Sequence, residues 1–205
     1  YNLVGTEKQL LIGDTGIFSL SEAVRYGAFH YVSAQTSTGY VTANYDIWPY
    51  ANQVLMLIVM FVGSMSGSTG GGIKIARHYV VFRVIKNTIE SIFRPETVRA
   101  FQLGEHDVER KAGNVVVTYV LIVIIIALFG TFFMIVDGID PETSVSINAC
   151  MINNIGIAFR AAGPAHSFAF LSPASKILST FLMVLGRLEF FAVLIIFVPA
   201  FWKGK

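Results

Sequence analysis

Two short segments of the chain place oxygen-bearing residues around a central glycine. The first reads Thr-Ser-Thr-Gly-Tyr over residues 36–40, and the second reads Asn-Asn-Ile-Gly-Ile over residues 153–157. An extended backbone that turns its carbonyl oxygens to one side can replace the hydration shell of a cation, and the positive φ angles that this requires favour glycine. We therefore predict two cation-binding segments, with the members Thr36, Ser37, Thr38, Gly39, Tyr40, Asn153, Asn154, Ile155, Gly156 and Ile157.

An ordinary turn in a loop is the alternative for either segment, and the surrounding sequence argues against it. Each segment follows a short apolar stretch, at residues 20–35 and 143–152, and each precedes a longer one. A membrane-spanning helix needs about 20 apolar residues, so the short stretches are typical of re-entrant or buried helices. An interfacial amphipathic helix is the other interpretation of these stretches.

Both short stretches begin with helix-start signals. Glu22 follows Ser21, and Glu142 follows Pro141, and an acidic side chain is favourable at a helix N-terminus. Superposing the two central glycines aligns a short helix, an oxygen-bearing segment, a polar gap and a long helix in two copies. The order of outer helix, half-helix, extended loop and inner helix predicts an all-α membrane protein built from cation-channel pore units of the M1–P–M2 type.

A glycine-rich stretch at residues 63–72 interrupts the apolar run that begins at Trp48. It does not fit a nucleotide-binding P-loop, because Ile73 stands where that motif needs lysine. Five glycines disfavour a continuous helix, which suggests a mobile gate at the inner side of a pore. The proposed loop comprises Gly63, Ser66, Gly67, Ser68, Thr69, Gly70, Gly71, Gly72 and Lys74.

A hydrolase is the enzymatic alternative for this stretch, with Ser66 or Ser68 as nucleophile and His78 as base. The nucleophile-elbow pattern fails, however, since Met65 occupies the serine position. We therefore predict that the chain is not an enzyme.

Charges are scarce, and two of them fall inside an apolar helix. Arg187 and Glu189 interrupt the apolar stretch 177–202, and intramembrane charges commonly mark functional sites. Arg187 is predicted to face the pore or the glycine-rich loop and to act as an electrostatic barrier. A structural ion pair within the bundle is the alternative.

The composition excludes several classes of protein. Of 205 residues, 54% are hydrophobic and 14% are charged, whereas a soluble domain has about 25% charged residues. The net charge of +2 is too small for a nucleic-acid binder. The single cysteine, Cys150, excludes an internal disulfide. We therefore predict that the chain lies in a lipid bilayer. The predicted apolar spans are 48–63, 115–136 and 177–202.

The distribution of basic residues predicts the orientation. Residues 1–46 contain two Lys or Arg and residues 137–173 contain one. Residues 74–112 are predicted to be cytoplasmic, as is the C-terminus, because basic residues concentrate on the cytoplasmic side. The eight basic residues concerned are Lys74, Arg77, Arg83, Lys86, Arg94, Arg99, Arg110 and Lys111.

Several of these stretches resemble motifs of one family. They are VSAQTSTGY (32–40), GSTGGGIKIAR (67–77), NNIG (153–156), FLMVLGRLEFF (181–191) and PAFW (199–202). Their order and spacing resemble the C-terminal half of the membrane subunit of the Trk/Ktr/HKT superfamily of potassium transporters, most closely the Trk type.

The resemblance implies four fused pore repeats around one pathway, of which about one and two-thirds are present. Residues 1–85 would be the third repeat without its outer helix, with a pore helix at 20–35, a filter at 36–40 and an inner helix at 48–85 broken at 63–72. Residues 86–112 would be a cytoplasmic linker. Residues 113–205 would be the fourth repeat, with an outer helix at 113–136, a pore helix at 143–152, a filter at 153–157 and an inner helix at 174–202.

The resemblance also implies a function and partners. Gly39 and Gly156 would be filter glycines that favour potassium, the transported ion, and no organic cofactor is expected. The glycine-rich loop would be the gate, and Arg187 the inner-helix arginine near the pore. The expected partners are the inner-membrane bilayer, a second copy in a homodimer, a cytosolic nucleotide-binding regulatory subunit and the preceding repeats of the same protein. A sodium-permeable or cotransporting relative and a non-conducting fragment are the alternatives.

Overall fold

The computed structural model describes residues 3–11, 15–65, 67–68, 70–93, 101–103, 106–108 and 110–188. Helices dominate these residues, in agreement with the predicted fold class. The helices are α1 (Leu20–Gln35), α2 (Tyr50–Val62), α3 (Ile75–Phe93), α4 (Arg110–Val136), α5 (Pro141–Asn153) and α6 (Pro173–Arg187). Two antiparallel hairpins accompany them: β1 (Glu7–Gln9) with β2 (Thr15–Ile17), and β3 (Phe101–Leu103) with β4 (His106–Val108).

Several predicted features lie outside the described residues. These are Ser66 and Thr69 of the glycine-rich loop, Glu189, and the part of the 174–202 inner helix that follows Leu188.

The hairpins and the length of α3 differ from the sequence-based expectation. Residues 86–112 were expected to form a linker, but α3 extends to Phe93, and α4 begins at Arg110. The extension has a local cause, since Phe82, Ile85, Ile89 and Ile92 continue an apolar stripe at helical spacing. The sequence does not predict the two hairpins. Their strands have three residues each, which is too short for an alternating apolar pattern to indicate a strand.

The helix starts depend on side-chain caps that precede the expected signals. Ser19, and not Ser21, caps α1: its hydroxyl accepts from the Glu22 N–H while the Glu22 carboxylate accepts from the Ser19 N–H, which forms a capping box. Asp140 caps α5 by accepting from the Thr143 N–H at 2.9 Å. Each cap satisfies N–H groups that lack partners within the helix.

Helix α5 is the centre of the fold. It packs against α2, α4 and α6, and its residues 143, 144 and 146–153 are buried. Its buried polar side chains bond to carbonyls of the preceding turn. The Ser146 hydroxyl donates to Thr143 O, and the Asn148 amide donates to Ser144 O. A short polar helix can therefore lie in the interior without exposing its backbone.

Within the described part of the chain, one helix is long and apolar enough to cross a bilayer, namely residues 113–136 of α4. Its side chains are largely exposed, including Leu128, Phe129 and Phe132, as expected for a helix that faces lipid or further helices. The apolar helix α2 is shorter, with 13 residues, and at 1.5 Å per residue it reaches only about 20 Å.

Asp137 ties the end of α4 to the start of α6. Its Oδ2 accepts hydrogen bonds from the hydroxyls of Ser172 and Ser175, at 2.5 and 2.6 Å. These two donors lower the pKa of the Asp137 carboxyl below its ordinary value. Ser172 is also the N-cap of α6, so the Asp137 carboxylate holds the residue at which that helix starts.

We expect this contact to make stability depend on pH. Because the folded protein lowers the pKa of Asp137, the stabilisation is fully present above the ordinary carboxyl pKa and is lost as the pH falls through the lowered value. Melting temperatures of the purified full-length gene product in detergent should fall less between pH 7 and pH 3 in Asp137→Asn than in the wild type. Identical acid dependence in both proteins would contradict this role.

Candidate functional site

The two oxygen-bearing segments have matching backbone conformations. Ser37 and Asn154, each two residues before the central glycine, adopt left-handed φ angles of 56° and 54°. The glycines Gly39 and Gly156 are also left-handed, with φ of 74° and 88°. Left-handed conformations are uncommon for residues other than glycine, so their recurrence at equivalent positions shows that the two segments share one backbone design.

The same hydrogen bonds end α1 and α5. The Thr38 N–H donates to Ser33 O at 3.0 Å, and at the equivalent position the Ile155 N–H donates to Cys150 O, also at 3.0 Å. Each copy has a second bond, in which the N–H of Ser37 or Asn154 donates to the carbonyl oxygen three residues earlier in the chain. This pair of bonds is the Schellman motif, which satisfies carbonyls at a helix C-terminus and turns the chain sharply.

The two segments contact each other directly, although 116 residues separate their bonded members in sequence. The Ser37 hydroxyl donates to Asn153 O at 3.1 Å. Gly39 lies against Ile155 so closely that a side-chain methyl on Gly39 would overlap the Ile155 carbonyl oxygen. The structure thus brings both predicted cation-binding segments into one site.

The glycine-rich loop packs against this site. A Cβ on Gly72 would overlap Asn153 Oδ1, and a Cβ on Gly71 would lie 2.8 Å from Asn154 Nδ2. A Cβ on Gly70 would lie 3.3 Å from Ser37 Oγ. The absence of side chains at these glycines is therefore what allows the loop to reach the ends of both short helices.

The loop is also anchored at its own ends. Gly63, with φ of 67°, ends α2 where a Cβ would overlap the Ile73 carbonyl oxygen. The Lys74 ammonium donates to Ser68 O at 2.8 Å, and the Ile75 N–H donates to Ser64 O at 3.2 Å. Gly67 has a φ of 86°, and a Cβ on it would meet no atom of the described residues within 4 Å. Lys74 thus closes the loop on itself and does not point into the oxygen-bearing segments.

The last described helix reaches the same place through a glycine. Gly186 of α6 packs against the Ile152 carbonyl, and its own carbonyl accepts from the Gly72 N–H at 3.2 Å. The Asn154 amide donates to Met183 O at 3.1 Å. Arg187 follows as the last residue of α6, with an exposed side chain.

Two further residues bond to backbone carbonyls at the ends of the segments, and the sequence analysis does not identify them. The Ser33 hydroxyl donates to Tyr40 O at 2.9 Å, and the Tyr45 hydroxyl donates to Ala158 O at 2.7 Å. Ser33 could have been found as a hydroxyl on the buried face of α1. Tyr45 could not, because its partner is 113 residues away.

A charged cluster connects the loops that leave the two segments. The Arg160 N–H donates to Asp46 Oδ1 at 3.0 Å, and its guanidinium donates to Glu142 at 2.6 Å. Arg160 has a left-handed φ of 58°. Burial raises the pKa of Asp46 although the Arg160 N–H and guanidinium oppose that change.

The described residues do not assemble the hydrolase alternative. The Ser68 hydroxyl lies within bonding distance of Ser64 Oγ and Met65 O, and His78 Nε2 lies 3.3 Å from Phe61 O. Ser68 and His78 therefore bond to different partners. The arrangement is one of carbonyl and hydroxyl oxygens around close-packed glycines, which suits cation coordination.

Comparison with known proteins gives a consistent result. The model of the TrkH family, described as cation transport protein, matches residues 10–203. The Trk system potassium uptake protein TrkH of Halomonas elongata is 30% identical over 92% of this chain and 39% of its own length. The Trk system potassium uptake protein TrkG of Escherichia coli (strain K12) is 32% identical over the same shares.

A solved structure supports the fold. The crystal structure of the potassium transporter TrkH from Vibrio parahaemolyticus matches with a TM-score of 0.80 and 27% identity, over 90% of this chain and 39% of that chain. The chain thus spans about two fifths of the length of the curated relatives it matches, somewhat less than the expected half.

The packing of the loop leads to a paired prediction. Gly72 and Gly67 are both left-handed, so alanine at either position costs about 1–2 kcal/mol in the backbone. Gly72→Ala also forces a methyl into Asn153, which adds roughly 1–3 kcal/mol. We expect a larger loss of melting temperature for Gly72→Ala than for Gly67→Ala in the purified full-length gene product. Equal losses would show that the loop does not pack on Asn153.

Proposed function

The chain belongs to the TrkH family of cation transport proteins, and from that premise we propose that it forms part of a potassium-uptake pathway across a membrane. The observation that carries the proposal is the contact between two glycine-centred segments with the same left-handed backbone. Potassium would lose its water and bind to the carbonyl oxygens of residues 36–40 and 153–157. Potassium is the proposed ion because the relatives TrkH and TrkG are both named potassium uptake proteins.

In this proposal the two segments belong to successive pore repeats. Helices α1 and α5 are the pore helices, α2 with α3 is the broken inner helix of the third repeat, and α4 and α6 are the outer and inner helices of the fourth. The partial negative charge at the C-terminal ends of α1 and α5 favours a cation beside them. The shared Schellman ends support the equivalence of the two copies.

The glycine-rich loop is the proposed gate. It lies directly against both filter segments, and among the described contacts a single backbone hydrogen bond, from Gly72 to Gly186, joins it to α6. Because glycines adopt several backbone conformations at little cost, the loop can change its path while α2 and α3 stay in place. A shift of α6 would then move the loop through Gly186.

The proposed surroundings follow the charge distribution. Residues 74–112 and the C-terminus lie on the cytoplasmic side of the inner membrane, since basic residues concentrate there. The further repeats of the protein complete the pathway. A homodimeric partner and a cytosolic nucleotide-binding subunit complete the transport system.

Uptake by the full-length gene product in a strain deficient in potassium uptake tests this function. We expect growth at low potassium and a preference for potassium over sodium. Gly156→Ser places its side chain in open space but puts a serine at a left-handed φ of 88°, which costs about 1–2 kcal/mol in the backbone. If the strain shifts the neighbouring carbonyls, the preference should fall about five- to tenfold.

The outcomes separate the alternatives. Equal uptake of sodium and potassium by the wild type would favour the sodium-permeable relative. The absence of uptake, with the protein present in the membrane, would favour a non-conducting protein.

Arg187 supplies a separate prediction about the barrier. If its charge repels potassium in the pathway, Arg187→Ala should raise uptake about fivefold, since a unit charge nearby changes the energy of an ion by about 1 kcal/mol in watery surroundings. Arg187→Lys keeps the charge and is the matched control. Uptake by Arg187→Ala at the wild-type rate would exclude the barrier.

A further inference from the structure

His30 is a buried histidine of α1 that the ion-binding segments do not include. Its side chain has no exposed surface. Its Nε2 lies 3.2 Å from the Thr42 N–H nitrogen and 3.3 Å from that of Ala43, and its Nδ1 lies 2.7 Å from Tyr26 O. Since backbone N–H groups only donate, Nε2 accepts and Nδ1 carries the proton that it donates to Tyr26. The ring is therefore neutral and in one defined tautomer.

The second copy satisfies the same backbone donor with a different residue. The Phe159 N–H donates to the hydroxyl of Ser146 at 3.0 Å. Thr42 and Phe159 each follow the central glycine of their segment by three residues. In both copies, then, a buried acceptor on the short helix binds the N–H at this position, and the acceptors come from unrelated residue types.

The geometry of the peptide group explains why such an acceptor is needed. The carbonyl and the N–H of a peptide unit point in opposite directions. Directly after the segment 36–40, the Thr42 carbonyl accepts from the Leu11 N–H at 3.1 Å, and the N–H groups of Thr42 and Ala43 face the buried His30 on the short helix. A buried N–H without a partner is costly, so the backbone leaves this orientation unless the helix offers an acceptor.

Aromatic packing fixes the ring that supplies this acceptor. The His30 ring meets Trp48, Phe29 and Tyr45 edge-on, at centroid distances of 5.2, 5.5 and 5.8 Å. Tyr45 in turn bonds to Ala158 O beside the second segment. The ring is thus held in place by the same cluster that connects the two segments.

We propose that His30 is a positioning residue for ion selectivity: its Nε2 holds the Thr42 and Ala43 N–H groups, fixes the chain directly after the segment 36–40, and so keeps the backbone of that segment in place. This inference rests on the proposed function, because a role in ion selectivity presupposes the proposed ion pathway. His30 differs in this respect from His78, whose Nε2 lies 3.3 Å from the carbonyl oxygen of Phe61 and not beside a backbone N–H.

The test compares an acceptor with an apolar ring at this position. The full-length gene product carrying His30→Gln or His30→Phe is expressed in a strain deficient in potassium uptake, and uptake of potassium and of sodium is measured at matched membrane levels. Gln places an amide oxygen near the position of Nε2, whereas Phe keeps the ring without an acceptor. His166→Phe, at an exposed position, is the matched control.

We expect His30→Phe to lower the potassium-to-sodium uptake ratio about tenfold, the effect of losing hydrogen bonds to buried donors. His30→Gln should stay within about twofold of the wild type, as should His166→Phe. If His30→Phe does not reach the membrane, His30→Met replaces it, because a flexible side chain fits irregular gaps.

Three outcomes would overturn the inference. An unchanged ratio in the apolar variants, with selective wild-type uptake, rejects the role of His30 and leaves the proposed function intact. Equal losses in His30→Gln and His30→Phe assign the effect to ring packing and reject the acceptor role. Wild-type protein that reaches the membrane without taking up potassium rejects the proposed function and this inference together.

Discussion

The backbone at the C-terminal ends of α1 and α5 imposes the constraint on which the rest of the structure depends. The end of α5 is buried, whereas α1 ends at residues that alternate between half-buried and exposed. Carbonyl and N–H groups that are buried at these ends cannot bond to water and need partners within the protein. The Schellman turns at Ser37 and Asn154 satisfy part of this requirement and turn the chain into an extended path. The remaining groups need partners from elsewhere, and the bond from the Ser37 hydroxyl to Asn153 O shows that the first segment supplies one of them to the second.

Glycines make this mutual satisfaction sterically possible. Gly39, Gly72 and Gly186 each lie where a side chain would overlap an oxygen of α5 or of the segment that follows it. These contacts join the first segment, the glycine-rich loop and α6 to one helix end. In the proposed gate, the hydrogen bond from the Gly72 N–H to Gly186 O would transmit movement of α6 to the loop that packs beside both segments.

The sequence predicted the parts of this site that have local signatures. The oxygen-bearing segments, the short helices before them and the interrupted helix all follow from composition and spacing near Gly39, Gly156 and residues 63–72. Gly186 was missed because a glycine inside an apolar helix has no local signal of close packing. The acceptors His30 and Ser146 were missed because their donors follow a turn whose path depends on tertiary structure. The contacts between Ser37 and Asn153 join distant parts of the chain, and one sequence alone does not encode that pairing in a readable pattern.

The central claim is that the carbonyls of residues 36–40 and 153–157 line one cation pathway. Anomalous diffraction from crystals of the full-length gene product soaked in thallium, a heavy substitute for potassium, tests it most directly. The account predicts anomalous peaks between these two segments, within coordination distance of their carbonyl oxygens. Well-ordered segments without a thallium peak between them, in crystals that bind thallium elsewhere, would contradict it.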